Sequence, residues 1–83
     1  MNAFARSPKQ LGMLIQHYRK NRGLSQSALA DLAGLRQEMV SKIESGQPGS
    51  RLSSIYNLLA ALDLEMTIQT RTKSAPDDIA DIF

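Results

Sequence analysis

Five polar side chains lie between residues 36 and 42, and their types suit contact with the edges of DNA bases. An arginine can donate two hydrogen bonds to guanine N7 and O6, and a glutamine can pair with adenine or contact guanine. A carboxylate accepts from cytosine N4, a serine bonds a base edge or a phosphate, and a lysine more often meets phosphate. The predicted base contacts are Arg36, Gln37, Glu38 and Ser41, and Lys42 is predicted to contact the DNA backbone.

These side chains can contact base edges together only if they lie on one face of a short helix and that face is directed toward DNA. A helix that begins near Arg36 and buries Val40 and Ile43 leaves the polar side chains on its outer face. Glu38 has a second interpretation, in which it holds Arg36 in place. Because any short surface helix also has a polar outer face, the flanking residues must distinguish a recognition helix from an ordinary one.

The helix before this one has the features of the first half of a helix-turn-helix. It follows Ser25, a predicted N-cap, and ends before Gly34, which permits a positive φ in the turn. Ala30 is small where the two helices cross. A short helix, a brief turn and a second short helix are typical of a helix-turn-helix, whose second helix enters the major groove.

Two further helices are predicted to support this pair. The first runs from about Pro8 to Asn21 with Ser7 as its N-cap, and its apolar stripe comprises Leu11, Leu14, Ile15 and Tyr18. The last follows the loop at residues 46–49, where Ser50 is a candidate N-cap. Its apolar positions have helical spacing and comprise Leu52, Ile55, Leu58, Leu59 and Leu62.

A β-strand is predicted after the last helix. Apolar and polar residues alternate there over six positions, with Leu64, Met66 and Ile68 on the apolar side. We find no second strand in the sequence, and an unpaired edge is unfavourable, so the predicted partner is the same strand of a two-fold-related copy. A chain this short also gains stability from self-association. The predicted fold is all-α, with four to five short helices and one C-terminal β-strand that pairs across a dimer.

Charge is distributed unevenly along the chain. Residues 1–51 carry eight Lys and Arg against three Asp and Glu, a net charge of +5, whereas the whole chain of 83 residues carries +2. A basic body favours a polyanionic partner such as double-stranded DNA, and Arg51 is predicted to contact its backbone. Alternatively, any one of these basic residues is only a solvated charge on the surface and does not contact DNA.

Composition excludes several functional classes. The chain has no cysteine, which removes disulfides, thiolate metal sites and cysteine nucleophiles. His17 stands without other candidate ligands in its helix, and the sequence has no catalytic grouping or Gly-rich phosphate loop, so we expect no enzyme activity, cofactor or metal site. No stretch approaches the ~18 apolar residues of a membrane span, and no signal peptide is recognisable, which predicts a cytoplasmic protein without a membrane partner.

The chain divides into three predicted parts: an N-terminal arm at residues 1–7, a DNA-binding and dimerisation domain at residues 8–70, and a flexible acidic tail at residues 71–83. The tail combines three aspartates with three large apolar side chains. Such a segment can fold on binding a partner, and the residues predicted to make that contact are Ile79, Ile82 and Phe83. Alternatively, this tail only increases the solubility of the protein and binds no partner.

Residues 26–46 read QSALADLAGLRQEMVSKIESG and resemble the helix-turn-helix of the Xre/Cro/lambda-repressor family. In that family a glutamine opens the second helix and an S-x-x-E-x-G-like stretch closes the third, here Gln26 and residues 41–46. The resemblance implies that Gln26, with Ser25 beside it, contacts the DNA backbone at a helix N-terminus. It also implies a structural pair between Arg19 and Glu44 that links the first helix to the end of the third.

Residues 52–68 read LSSIYNLLAALDLEMTI and resemble the HipB-type antitoxins, whose dimers share a small intermolecular sheet. The helix-turn-helix and the basic body predict a sequence-specific repressor, and a symmetric dimer predicts an inverted-repeat operator, expected in its own promoter. The resemblance to HipB-type antitoxins implies that the protein also neutralises a HipA-like serine/threonine kinase encoded next door. The alternative is a stand-alone Xre-type transcriptional regulator with no toxin partner.

Overall fold

The computed structural model describes residues 3–71 and contains four α-helices in this range. They are α1 (Pro8–Asn21), α2 (Gln26–Ala33), α3 (Gln37–Glu44) and α4 (Leu52–Ala61). The bounds of α1 and α2 agree with the sequence prediction. The turn between α2 and α3 is three residues long, as a helix-turn-helix requires.

Local hydrogen bonds explain where the first two helices begin. The Ser7 hydroxyl accepts from the backbone N–H of Gln10 at 3.1 Å, and the Ser25 hydroxyl accepts from the N–H of Ala28 at 3.0 Å. Each bond satisfies an N–H group that the first turn of a helix leaves without a backbone acceptor. The predicted cap at Ser50 is wrong, because Arg51 is the N-cap residue of α4 and its side chain makes no capping bond.

The turn between α2 and α3 depends on Gly34. This glycine has a φ of 70°, in the left-handed region, and the next N–H, from Leu35, donates to the carbonyl of Ala30 at 2.9 Å. A glycine adopts this conformation without the steric cost that a Cβ atom imposes. The chain therefore reverses within three residues and brings α3 back across α2.

The core lies between α2 and the other three helices. Helix α2 packs on α3 and on α4, and α1 packs on α3. The buried apolar residues are Ile15, Leu29, Ala30, Ala33, Val40, Ile43, Leu58, Leu59 and Leu62. One predicted core position is wrong: Leu52 is 59% exposed, whereas Ser54 in the same turn of α4 is 5% exposed, so the buried face of α4 runs through Ser54 and Leu58 and leaves Leu52 outside it.

Residues 64–71 form neither a helix nor a β-strand in the single described chain. Leu64 is half-buried against the core, whereas Met66 is 42% and Ile68 96% exposed. The predicted strand is thus not formed within residues 3–71, and its pairing with a second copy stays a prediction. None of the described helices is long and apolar enough to cross a membrane.

Candidate nucleic-acid interface

Helix α3 has one buried face and one exposed polar face. Val40 is 0% and Ile43 is 4% exposed, and both lie in the core between α1, α2 and α3. The exposed positions of α3 that carry the predicted DNA contacts are Gln37, Glu38, Ser41 and Lys42. Since Gln37 and Ser41 are four residues apart, they lie on adjacent turns of the same exposed face.

Arg36 and Glu38 lie at the N-terminal end of this face. The Arg36 side chain is 87% exposed and the Glu38 side chain 70% exposed, and Arg36 Nη1 lies 3.9 Å from Glu38 Oε1. An exposed ion pair of this length contributes about 0–1 kcal/mol. Arg36 can therefore leave Glu38 for a guanine at small cost, and both interpretations of Glu38 are compatible with this geometry.

Arg19 and Glu44 form a buried ion pair between α1 and the end of α3. Arg19 Nε donates to Glu44 Oε2 at 2.7 Å, and Arg19 Nη2 donates to Glu44 Oε1 at 3.1 Å. The third guanidinium nitrogen, Nη1, donates to the carbonyl of Leu24 at 2.7 Å. Because desolvation offsets much of the attraction in a buried pair, its main effect is to fix the orientation of α3 relative to α1.

The N-terminus of α2 carries the two residues expected at the DNA backbone. Gln26 is half-buried, and its Nε2 donates to Glu44 Oε1 at 3.1 Å, while Ser25 caps the helix. No acidic residue lies in the first turn of α2. The backbone N–H groups of Gln26 and Ser27 have no acceptor within the helix, and with the helix dipole they favour an anion at this end.

Two basic residues flank the loop that follows α3. Lys42 is exposed in the last turn of α3, and Arg51 is exposed at the N-cap of α4. Both positions suit contact with phosphate. Lys42 also interacts favourably with the C-terminal end of the helix dipole, which is a structural reason for a lysine there.

Gly12 is a positioning residue that was not predicted from the sequence. Gly12 is buried where α1 meets the backbone carbonyls of Ile43 and Glu44, with no room for a Cβ atom. The available signal was a glycine inside the otherwise regular pattern of α1, which often indicates close packing. Gly12 therefore allows α1 to support the end of the helix that carries the polar face.

Some predicted features fall outside this interface. Ile79, Ile82 and Phe83 lie outside the described residues. Within residues 3–71, no three side chains of His, Asp or Glu come together in a group that could hold a metal ion. The features that the described residues do bring together are an exposed recognition face, a helix N-terminus and flanking basic side chains.

This combination defines a class, that of helix-turn-helix domains suited to double-stranded DNA. Residues 15–69 match the family model described as Helix-turn-helix. The chain belongs to this helix-turn-helix family.

Individual relatives place the chain more closely within the family. Antitoxin HipB of Escherichia coli strain K12 is 30% identical over 71 residues, which cover 86% of this chain and 81% of the relative. An HTH-type transcriptional regulator of Haemophilus influenzae is 38% identical over 58 residues, covering 69% of this chain and 59% of the relative. A chain in the HipA–HipB–O2–O3 complex has a TM-score of 0.79 and 28% identity, and the match covers 86% of this chain and all of that one.

Proposed function

We propose that this protein is a sequence-specific DNA-binding repressor that acts as a symmetric dimer. The observation that carries the proposal is the exposed face of α3, where Gln37 and Ser41 are presented opposite the buried Val40 and Ile43. A helix held in this way can enter a major groove and read base edges. Ser25, Gln26, Lys42 and Arg51 then contact the flanking phosphates.

The dimer is proposed from the segment after α4. Ile68 is 96% and Met66 42% exposed. Contact between large apolar side chains and water is unfavourable, so burying them in an interface lowers the free energy. Pairing residues 64–69 with the same segment of a second copy covers these side chains and satisfies the strand edge. The two-fold axis presents two α3 helices to half-sites about one helical turn apart, which requires an inverted-repeat operator.

We further propose that the protein is the antitoxin of a toxin–antitoxin operon, acts in the cytoplasm, and represses its own promoter. The similarity to Antitoxin HipB and to a chain in the HipA–HipB–O2–O3 complex supports this proposal. Its partner is then a HipA-like serine/threonine kinase that it binds and neutralises. Ile79, Ile82 and Phe83 are the proposed contact residues, because an acidic segment with apolar anchors can fold into a partner's pocket.

A stand-alone transcriptional regulator is the second candidate. It is supported by the 38% identity over 58 residues to the HTH-type transcriptional regulator of Haemophilus influenzae, a higher identity than that to HipB but over a shorter match. The two candidates share the DNA-binding face of α3. They differ in whether a kinase is encoded beside this gene and binds the protein.

DNase footprinting on the protein's own promoter tests the repressor proposal. We expect a protected inverted repeat whose half-sites are centred about 10 base pairs, or a multiple of that, apart. Gel shifts with the promoter fragment and with shuffled DNA, each over a series of salt concentrations, separate specific from non-specific binding. Equal affinity for both DNAs at every salt concentration contradicts the proposal.

Co-purification with the protein encoded by the adjacent reading frame tests the antitoxin proposal. We expect the full chain to bind that protein and to inhibit its kinase activity. A chain truncated after Lys73 should keep its affinity for promoter DNA and lose kinase binding. Equal kinase binding and inhibition by both chains contradicts the role of the tail, and no binding by the full chain favours the stand-alone regulator.

A further inference from the structure

The carboxylate of Glu44 joins side chains from two other helices. It accepts from Arg19 Nε at 2.7 Å, from Arg19 Nη2 at 3.1 Å and from Gln26 Nε2 at 3.1 Å. The Glu44 side chain is 2% exposed, so water has little access to the carboxylate that accepts these bonds. Because Glu44 is itself held by a bidentate arginine, it offers Gln26 an acceptor at a fixed place.

This hydrogen bond leaves part of the Gln26 amide unused. A glutamine amide has two N–H donors and a carbonyl acceptor, and Glu44 takes one of the donors. No other bond of this amide is found among residues 3–71. Gln26 is the first residue of α2, so the amide with a spare donor belongs to the helix end whose first N–H groups lack backbone acceptors.

Arg19 makes this arrangement compatible with a bound phosphate. A carboxylate close to the N-terminus of α2 would repel an anion there if it were unpaired. The bidentate contact with Arg19 neutralises Glu44 locally. Glu44 can therefore hold Gln26 without opposing the approach of the DNA backbone.

We propose that Glu44 is a positioning residue for the contact between Gln26 and the DNA backbone, an inference that rests on the proposed DNA-binding function. Glu44 fixes one N–H of the Gln26 amide and thereby aims the other at a backbone phosphate. A side chain that is already ordered loses less conformational freedom when DNA binds. The buried pair of Arg19 and Glu44 then has a function in DNA binding in addition to linking α1 to α3.

A double-mutant cycle measured by DNA affinity tests this proposal. The proteins are the wild type, Gln26→Ala, Glu44→Gln and the double variant, each shown to be folded by circular dichroism at the assay temperature. We expect Gln26→Ala to weaken promoter binding by about tenfold, as for loss of one hydrogen bond to a charged group. Glu44→Gln should weaken binding by about fivefold in the wild type and by less than twofold in the Gln26→Ala background. Equal losses in both backgrounds contradict the proposal, because they mean that Glu44 acts through the fold alone.

A second variant avoids any change to the buried ion pair, in case Glu44→Gln does not fold. Gln26→Asn keeps the amide but shortens the side chain by one methylene, so it cannot reach Glu44 and the phosphate together. We expect it to bind DNA as weakly as Gln26→Ala, and wild-type affinity contradicts the proposal. Gln16→Ala, a half-buried glutamine of α1 outside this network, is the control and should bind normally.

The outcomes also separate this inference from the proposed function. If the wild type shows no preference for promoter DNA, the repressor proposal fails, but a backbone contact does not depend on sequence, so the cycle measured on that DNA still supports the role of Glu44 if it is coupled and contradicts it if it is additive. If the wild type binds its promoter specifically and the cycle is additive, the repressor proposal stands and the positioning role of Glu44 is wrong.

Discussion

Gly12 and Glu44 meet backbone to backbone: a Cβ atom on Gly12 would lie 2.7 Å from the carbonyl oxygen of Glu44. Real Cβ atoms essentially never approach a backbone oxygen that closely. Helix α1 therefore packs against the end of α3 at a distance that only glycine permits. Helix α3 carries the proposed recognition face, so this contact helps to set the angle at which α3 is presented.

Gly12→Ala is predicted to destabilise the protein. Alanine is the better helix former by about 1 kcal/mol, but forcing a methyl group against a backbone carbonyl costs about 1–3 kcal/mol or more. We expect a net loss in the free energy of unfolding, measured by urea denaturation. Met13→Ala, at the adjacent exposed position of α1, is the control and should change stability by about 0.5 kcal/mol or less. A Gly12→Ala protein more stable than the wild type would show that the helices separate at little cost.

Asp63 is predicted to be a site where glycine stabilises the fold. It follows the C-cap of α4 with a φ of 59°, and the next N–H, from Leu64, donates to the carbonyl of Leu59 at 2.7 Å, as in a Schellman motif. Asp63→Gly should raise the free energy of unfolding by about 0.5–1 kcal/mol, and Asp63→Ala should lower it by a similar amount. Thermal and urea denaturation measure both changes.

Asp63→Asn is the matched control for the charge of Asp63. Arg22 Nη2 lies 4.0 Å from Asp63 Oδ2, with the aspartate side chain 92% exposed, so this ion pair should contribute little. Asparagine tolerates the left-handed conformation as aspartate does. We therefore expect wild-type stability, and a clear loss for Asp63→Asn would mean that the ion pair matters more than the backbone conformation.

Arg36 and Lys42 are predicted to affect DNA binding in different ways. Arg36→Ala should reduce the preference for the operator over a site with one guanine replaced, by about 1–3 kcal/mol, because it removes a bidentate base contact. Lys42→Ala should weaken binding to all DNAs alike and reduce the salt slope by about one. Gel shifts on operator and substituted DNA over a salt series distinguish the two patterns. The same response from both variants would contradict the assignment of Arg36 to a base.

Ile68→Asp is predicted to weaken the dimer. Its side chain is 96% exposed in the single chain, so the substitution should leave the protomer folded while placing a charge in the proposed interface. We expect the dimer dissociation constant to rise at least about tenfold, as for loss of one buried aliphatic side chain, measured by sedimentation equilibrium. Thr67→Asp adds the same charge on the other side of the alternating pattern. Equal effects of the two substitutions would contradict pairing through Ile68.

Operator affinity is a second readout of the same pair of variants. Two half-sites are bound together only if two α3 helices are held on one dimer. Ile68→Asp should therefore weaken binding to the inverted repeat far more than binding to an isolated half-site. An unchanged ratio between the two DNAs would mean that the protein binds as independent protomers.

Much of the fold follows from local signals in the sequence. Ser7 and Ser25 mark the starts of α1 and α2 because their hydroxyl groups bond N–H groups three residues ahead. Gly34 marks the end of α2 because of its left-handed conformation. The prediction is less accurate at α4, where neither Ser50 nor Arg51 supplies a side-chain cap. Without that bond, packing decides where the helix begins.

The exposure of apolar residues is less well predicted from the sequence. Leu52 has the same helical spacing as Leu58 and Leu59, but it is 59% exposed. Periodicity shows which residues share a face of a helix but not which part of that face its neighbours cover, and in the first turn of α4 the covered residue is Ser54. The alternation that ends at Ile68 likewise indicates a strand without indicating what pairs with it.

The sequence by itself determined where the four helices lie, apart from the start of α4, and also the three-residue turn and the polar face of α3, because each depends on residues within about one or two helical turns of one another. The tertiary structure decided the rest. Gly12 against Glu44, and the hydrogen bond of Gln26 to the carboxylate that the resemblance paired only with Arg19, join residues 18 or more positions apart. Such contacts depend on the angles at which the helices cross, and side-chain packing across the whole core sets those angles.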